Sequence, residues 1–196
     1  MHSGSKIMKT VDEYAIFSQD DQVDPGQMYD KLAKTYEEDI PQLGYYNHIK
    51  CHAMVEKNRP EIIERSEFKI LDLACGTGWV AELLFKSGYT KIDGIDASPE
   101  MMKIAEAKKL YSELHVGYLG NGTFPEKFVG VYDFVTLSGA LNKNHAPPEA
   151  LDDVFEALKP KGIAVFTIPD KYAEDLGYLP LLREKEQAGV CQFVEA

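Results

Sequence analysis

Leu71-Asp72-Leu73-Ala74-Cys75-Gly76-Thr77-Gly78 ends a short apolar run and opens a helical pattern in which Trp79, Val80, Leu83 and Leu84 share a face. A strand that turns on two glycines into a helix lets backbone approach a ligand where a Cβ would obstruct it. Working outward, four more apolar runs bounded by turn signals follow: Lys91 to Ile95, Leu114 to Leu119, Tyr132 to Leu137 and Ile163 to Ile168, the first run being Phe68 to Leu73. Most are apolar on both faces, as strands covered by helices on each side must be. Between them, Gly88 stops the first helix, and Ser98 with Pro99 caps and starts a second reaching about Leu110. Leu151, Val154, Phe155 and Leu158 form a third stripe ended by Pro160. Alternating strands and helices predict an α/β, Rossmann-like, doubly wound and mostly parallel sheet.

Ahead of this core, Asp24-Pro25 starts a helix in which Tyr29, Leu32, Ala33 and Tyr36 fall on one face, and a second helix covers Tyr45 to Asn58. These helices either cover the sheet or form a lid; the polar tips of Tyr29 and Tyr36 favour a lid. The expected organisation is one domain, with residues 1–6 as a tag remnant, 7–66 as an N-terminal helical cap and 67–196 as the core. After a helical stretch from Leu181 to Ala188, Val190 to Ala196 leaves room for one further strand, so the C-terminal strands look incomplete.

The 196 residues carry 44% hydrophobic and 27% charged residues, an ordinary globular balance, with a net charge of -11. That acidity disfavours nucleic acid and anionic membranes as partners, and no apolar run approaches the roughly 20 residues of a membrane span. Cys51, Cys75 and Cys191 lack a CxxC spacing and read as reduced thiols of a cytoplasmic protein, with neither a zinc site nor a disulfide frame. No metal is expected.

The second strand ends in Gly94-Ile95-Asp96, and an acid at that tip is placed to take the hydroxyls of a ribose. Gly76-Thr77-Gly78-Trp79-Val80-Ala81 also satisfies the dinucleotide pattern GxGxxA, so the glycines alone leave a nicotinamide dinucleotide open. Asp72 tips the balance. A carboxylate there attracts a cationic tail by about 4 kcal/mol at 4 Å and an effective dielectric near 20, and it repels a diphosphate. That points to S-adenosylmethionine, with S-adenosylhomocysteine as product.

Asp72-Leu-Ala-Cys-Gly-Thr-Gly78, Gly94-Ile-Asp-Ala-Ser-Pro-Glu-Met101 and Leu158-Lys-Pro-Lys-Gly162 together resemble the class I S-adenosylmethionine-dependent methyltransferases over most of residues 25 to 170. A narrower likeness is to the methyltransferase-like proteins first noted in the Williams–Beuren syndrome chromosome region. It is carried by Tyr29-Asp30 with Ala33 and Tyr36, Leu110-Tyr111, Leu119-Gly120 and Gly139-Ala140-Leu141. The resemblance implies that Asp72, Ala74 and Gly76 hold the methionine portion, Asp96 the ribose, and Ala97 and Met101 the adenine, while Tyr29 and Tyr36 close over the methionine end. Where many relatives carry an adenine-binding Asp after the third strand, this chain has Leu119-Gly120-Asn121, so that contact falls to the Asn121 side chain or is absent.

Past the fourth strand lie Ser138, a candidate cofactor contact, and Asn142 and His145, the candidate catalytic residues, with His145 as a general base against the plainer reading of it as a solvated loop residue. Asp170 and Tyr172 read as surface residues, and Trp79 and Phe85 as core. The expected activity is methyl transfer to a small molecule, with a basic peptide as the other acceptor class. A cofactor-binding protein without turnover and an NAD-dependent oxidoreductase are the alternatives.

Overall fold

The computed structural model describes residues 24–193, with the side chain of Lys171 left aside. The expected tag remnant at residues 1–6 and the first part of the cap lie outside the described residues. Five strands form one all-parallel sheet: β1 (Lys69–Leu73), β2 (Lys91–Asp96), β3 (Glu113–Val116), β4 (Tyr132–Leu137) and β5 (Leu158–Phe166). Their order is β3-β2-β1-β4-β5. The chain therefore winds outward in both directions from β1, and a crevice opens at the carboxyl ends of β1 and β4, where the order reverses.

Alternation along the strands distributes side chains to two cores. Leu71, Leu73, Val135 and Leu137 point to one face, where Leu151 and Val154 of α6 (Ala150–Ala157) and Tyr178 and Leu182 of α8 (Tyr178–Gln187) cover them. Ile70, Ile92 and Phe134 point to the other, under Val80, Ala81 and Leu84 of α4 (Trp79–Lys86) and Cys51 and Val55 of α3 (Asn47–Asn58). α5 (Pro99–Ala107) crosses from β2 to β3, capped by Ser98 as the sequence predicts. A short α7 (Asp170–Ala173) follows β5.

Boundaries move where local pattern yields to packing. The predicted N-terminal helix is two pieces, α1 (Pro25–Leu32) and α2 (Tyr36–Asp39), broken between Leu32 and Tyr36, with a 3₁₀ turn at Ile40–Leu43 after them. Tyr29, Leu32 and Tyr36 nevertheless collect around Met28, Ile40 and Leu43 in one small cluster with Trp79. β3 stops at Val116 because the Gly117 amide turns to the carbonyl of Asp96, 2.9 Å away. α6 stops before Pro160, at Ala157, and β5 begins at once, with Leu158 paired to Tyr132 and an irregularity before Ile163. Among the described residues no strand follows β5, so the further strand predicted from Val190 is absent as far as Phe193.

Gly94, in β2, has Tyr111 pressed against it. A Cβ built there meets Tyr111 Cε1 at 2.8 Å and Leu114 Cδ2 at 2.9 Å. Gly94→Ala is expected to lower stability by about 1–3 kcal/mol through overpacking. Urea unfolding checks this, and an unchanged midpoint would contradict the packing described.

Candidate functional site

The first turn is built from backbone conformations that few residues adopt. Ala74, Gly76 and Gly78 all have positive φ, at 49°, 55° and 91°. The two glycines serve different ends. A Cβ on Gly78 would press on the Tyr111 ring at 3.2 Å, whereas one on Gly76 would meet nothing and stand in the cavity. The Cys75 amide donates to the carbonyl of Ile95, tying the turn to β2.

Asp96, the last residue of β2, closes the arrangement. Its Oδ2 accepts from the Gly76 amide at 2.7 Å and its Oδ1 from the Ser98 amide at 2.8 Å. Ser98 in turn caps α5 and donates its hydroxyl to Asp30 Oδ1 at 2.6 Å, and Asp30 also accepts from the Glu100 amide. α1 is thereby fastened to the start of α5. A second fastening lies at the mouth, where the Tyr118 hydroxyl donates to Asp24, the N-cap of α1.

Asp72 sits at the floor, 1% exposed, accepting from Thr136 Oγ1 at 2.7 Å and from the Tyr111 hydroxyl at 2.9 Å. Burial pushes its carboxyl up to about 7 despite those donors, and Asp96 adds to the rise. Burial likewise pushes Asp96 up to about 6. The floor is thus acidic but short of positive charge. The Thr77 hydroxyl, 2% exposed, has no hydrogen-bond partner among the described residues.

These groups surround a cavity of about 360 Å³ at the carboxyl ends of the strands, within the usual size of small-molecule sites. Tyr29, Tyr36, Asp72, Ala74, Gly76, Asp96, Ala97, Met101, Leu119, Ser138, Asn142 and His145 all line it, as the sequence reading places them. Two expected residues do not. The Gly120 amide donates to Asp153 Oδ2 at 2.6 Å, and a Cβ at Gly120 would strike the Ala150 nitrogen, so that residue packs on α6. Asn121 is exposed and its Oδ1 accepts from the Thr123 amide and hydroxyl, which turns it from the cavity. Tyr118 occupies the mouth instead.

Trp79 also departs from expectation. It lines the cavity, its ring centroid 5.3 Å from Tyr36 and 4.8 Å from His48. Its place directly after Gly78, on the first turn of α4, was the signal that it borders the cavity as well as packing on the cluster around Met28, Ile40 and Leu43. Phe85 is 44% exposed and so is not core either. Tyr45, Asn47 and His48 reach the cavity from before and within α3, a meeting that no local pattern announces. His145 is not a freely solvated loop residue: its Nε2 lies 2.9 Å from the Tyr29 hydroxyl and its Nδ1 2.7 Å from the Lys143 carbonyl oxygen. Burial lowers its pKa. Asn142 lines the wall with its Oδ1 accepting from the Lys143 amide.

With this geometry in place, comparison with known proteins decides the family. Residues 41–196 match the family described as the methyltransferase domain. The chain belongs to that family. It is 32% identical over 175 residues to methyltransferase-like protein 27 of Homo sapiens, covering 86% of this chain and 68% of that protein. It is 31% identical over 151 residues to a demethylmenaquinone methyltransferase of Chlorobaculum parvum, covering 72% of this chain and 58% of the relative. The methyltransferase-domain fold recurs in the crystal structure of a TehB-like SAM-dependent methyltransferase from Corynebacterium glutamicum, with a TM-score of 0.60, 21% identity, and 79% and 82% of the two chains covered. Among the described residues no helix is long and apolar enough to cross a membrane.

A carboxyl group whose folded pKa is raised favours the protonated state, so its contribution to stability is full below about pH 4 and is lost as pH rises through the folded value. For Asp72 that loss spans about pH 4 to 7, and for Asp96 about pH 4 to 6. Asp72→Asn is therefore expected to raise the melting temperature of the ligand-free protein at pH 8. It should also flatten the decline above pH 6 while leaving the part due to Asp96. Thermal unfolding at pH 5, 6 and 8 checks this; a variant less stable at pH 8 would contradict it.

Proposed function

We propose that this protein is an S-adenosylmethionine-dependent methyltransferase acting on a small-molecule acceptor in the cavity. One observation carries the cofactor reading. The Gly76 amide, which a diphosphate at this turn would need, is already taken by the Asp96 carboxylate. Consistent with that, Asp24, Asp72 and Asp96 line the cavity, and among the described residues no Lys or Arg does. Such walls suit a cationic nucleoside and oppose a dinucleotide.

The residues present fit the group. The open space at Gly76 leaves room for a ligand against the turn, and the unpartnered Thr77 hydroxyl is a free polar contact for an amino-acid tail. Asp96 keeps lone pairs beyond the two amides and is placed for ribose hydroxyls. Asp72, below the turn, supplies charge for an ammonium or sulfonium, and such a cation favours its ionised form. Tyr29 and Tyr36 cover the site, which excludes water from the reacting atoms. When bound, S-adenosylmethionine supplies a methyl group activated by a sulfonium leaving group. The protein's share is then alignment, acceptor deprotonation and exclusion of solvent. The relatives named demethylmenaquinone methyltransferase support methyl transfer as the reaction class. A cytoplasmic location is supported by Cys51, Cys75 and Cys191, none of which forms a disulfide.

Titration calorimetry is expected to give saturable heat with S-adenosylhomocysteine and none with NAD; the reverse result overturns the cofactor reading. Asp96→Ala is expected to weaken S-adenosylhomocysteine binding by about 1.5–3 kcal/mol, the worth of hydrogen bonds to a charged group. An unchanged dissociation constant would refute the ribose role.

A further inference from the structure

Tyr29 and His145 lie far apart in sequence and meet over the cavity. The Tyr29 hydroxyl lies 2.9 Å from His145 Nε2, and His145 Nδ1 lies 2.7 Å from the Lys143 carbonyl oxygen. A carbonyl can only accept, so the proton of the neutral ring is on Nδ1 and the lone pair is on Nε2. The Tyr29 O–H is then the donor to Nε2. Burial lowers the His145 pKa and raises that of Tyr29, so both stand uncharged near neutral pH. Because the phenol covers Nε2, an acceptor reaches this base through Tyr29 Oη, which retains lone pairs to accept a proton.

The rest of the wall restricts what such an acceptor can be. Tyr36, Trp79 and His48 line it in sequence, with centroid separations of 5.3 and 4.8 Å, and make that wall aromatic, which suits a ring. No Lys or Arg among the described residues lines the cavity, so no side chain there would pair with a phosphate or carboxylate on the acceptor, and Asp24, Asp72 and Asp96 would repel it. An amine beside the Asp72 and Asp96 carboxylates would be held in its protonated form, which has no lone pair to take a methyl group. An uncharged hydroxyl on an aromatic ring meets each of these constraints.

We propose that the methyl acceptor is an uncharged hydroxy-aromatic compound whose hydroxyl proton passes through Tyr29 to His145 Nε2, an inference that rests on the cofactor reading above. The acceptor O–H bond breaks and its proton goes to Tyr29 Oη as the Tyr29 proton moves to Nε2. The electron pair released on the acceptor oxygen forms the new O–CH₃ bond, and the pair of the breaking C–S bond stays on sulfur. His145 ends as an imidazolium, its Nδ1–H still held by the Lys143 carbonyl, while the sulfonium charge disappears. Net charge in the cavity is unchanged.

The test uses the full chain saturated with S-adenosylhomocysteine and 4-nitrophenol as the probe, in buffer acidic enough to keep the free phenol mostly colourless. The expected result is a rise of roughly tenfold or more in the ionisation constant of the bound phenol, read as phenolate absorbance. Tyr29→Phe and His145→Gln should each abolish the rise while the phenol still binds. In the wild type without the probe, ¹⁵N shifts of His145 should report a protonated Nδ1 and a bare Nε2. A bound phenol that stays colourless, a rise that survives both substitutions, the opposite tautomer, or no phenol binding overturns the proposal. Tighter binding of benzylamine than of 4-nitrophenol also overturns it, by making the acceptor an amine. Calorimetry with S-adenosylhomocysteine separates the two readings. Its failure defeats the cofactor, whereas binding with a colourless phenol defeats the acceptor alone.

Discussion

The Asp96 carboxylate holds this site together. It spans the gap between the first turn and the second crossover by accepting from Gly76 on one side and Ser98 on the other. Both amides belong to stretches where a helix is about to begin and lack partners within it. A single half-buried anion satisfies them, and the two helix starts are brought to the same end of the sheet. Burial raises the cost of that anion, which is why its carboxyl stands at about 6 and not in the ordinary carboxylate range.

The cap depends on the same arrangement at one remove. Ser98, positioned by Asp96, offers its hydroxyl to Asp30 of α1, and Asp24 at the start of that helix takes the Tyr118 hydroxyl. Tyr29 then reaches His145 from the opposite wall. A small apolar cluster around Met28, Ile40 and Leu43 adds to these polar fastenings. The cap is therefore tied to three sides of the cavity: the start of α5, the exit of β3 and the loop after β4. Any ligand bridging the floor and the aromatic roof bears on all three.

Much of this was legible along the chain. β4 runs from Tyr132 to Leu137 as its apolar run predicts, because a strand buried on both faces leaves a continuous signature. Ser98-Pro99 marks the start of α5 to the residue, since capping chemistry is local. The acid at the end of β2 and the glycine turn after β1 were readable for the same reason: strand ends and tight turns constrain residue type. Asn121 does not reach the cavity, because its side chain accepts from Thr123 two residues on, a bond the residue types did not announce. Trp79 packs on an apolar cluster as read and also reaches the cavity, because helical spacing alone does not say which side of a helix faces a cavity.

Sequence by itself determined the alternating strand and helix plan, the glycine turn, the acid that faces it and the family likeness that followed. Each is written in residues close together, where backbone conformation and periodicity act directly. Only the tertiary structure decided that Asp96 takes up the Gly76 and Ser98 amides, that Asp72 is shut in by Thr136 and Tyr111, and that Tyr29 meets His145. Apart from the local bond between Asp96 and Ser98, those pairs join segments distant in the chain, and burial, which sets their protonation, is a property of the packed molecule and of no stretch of it alone.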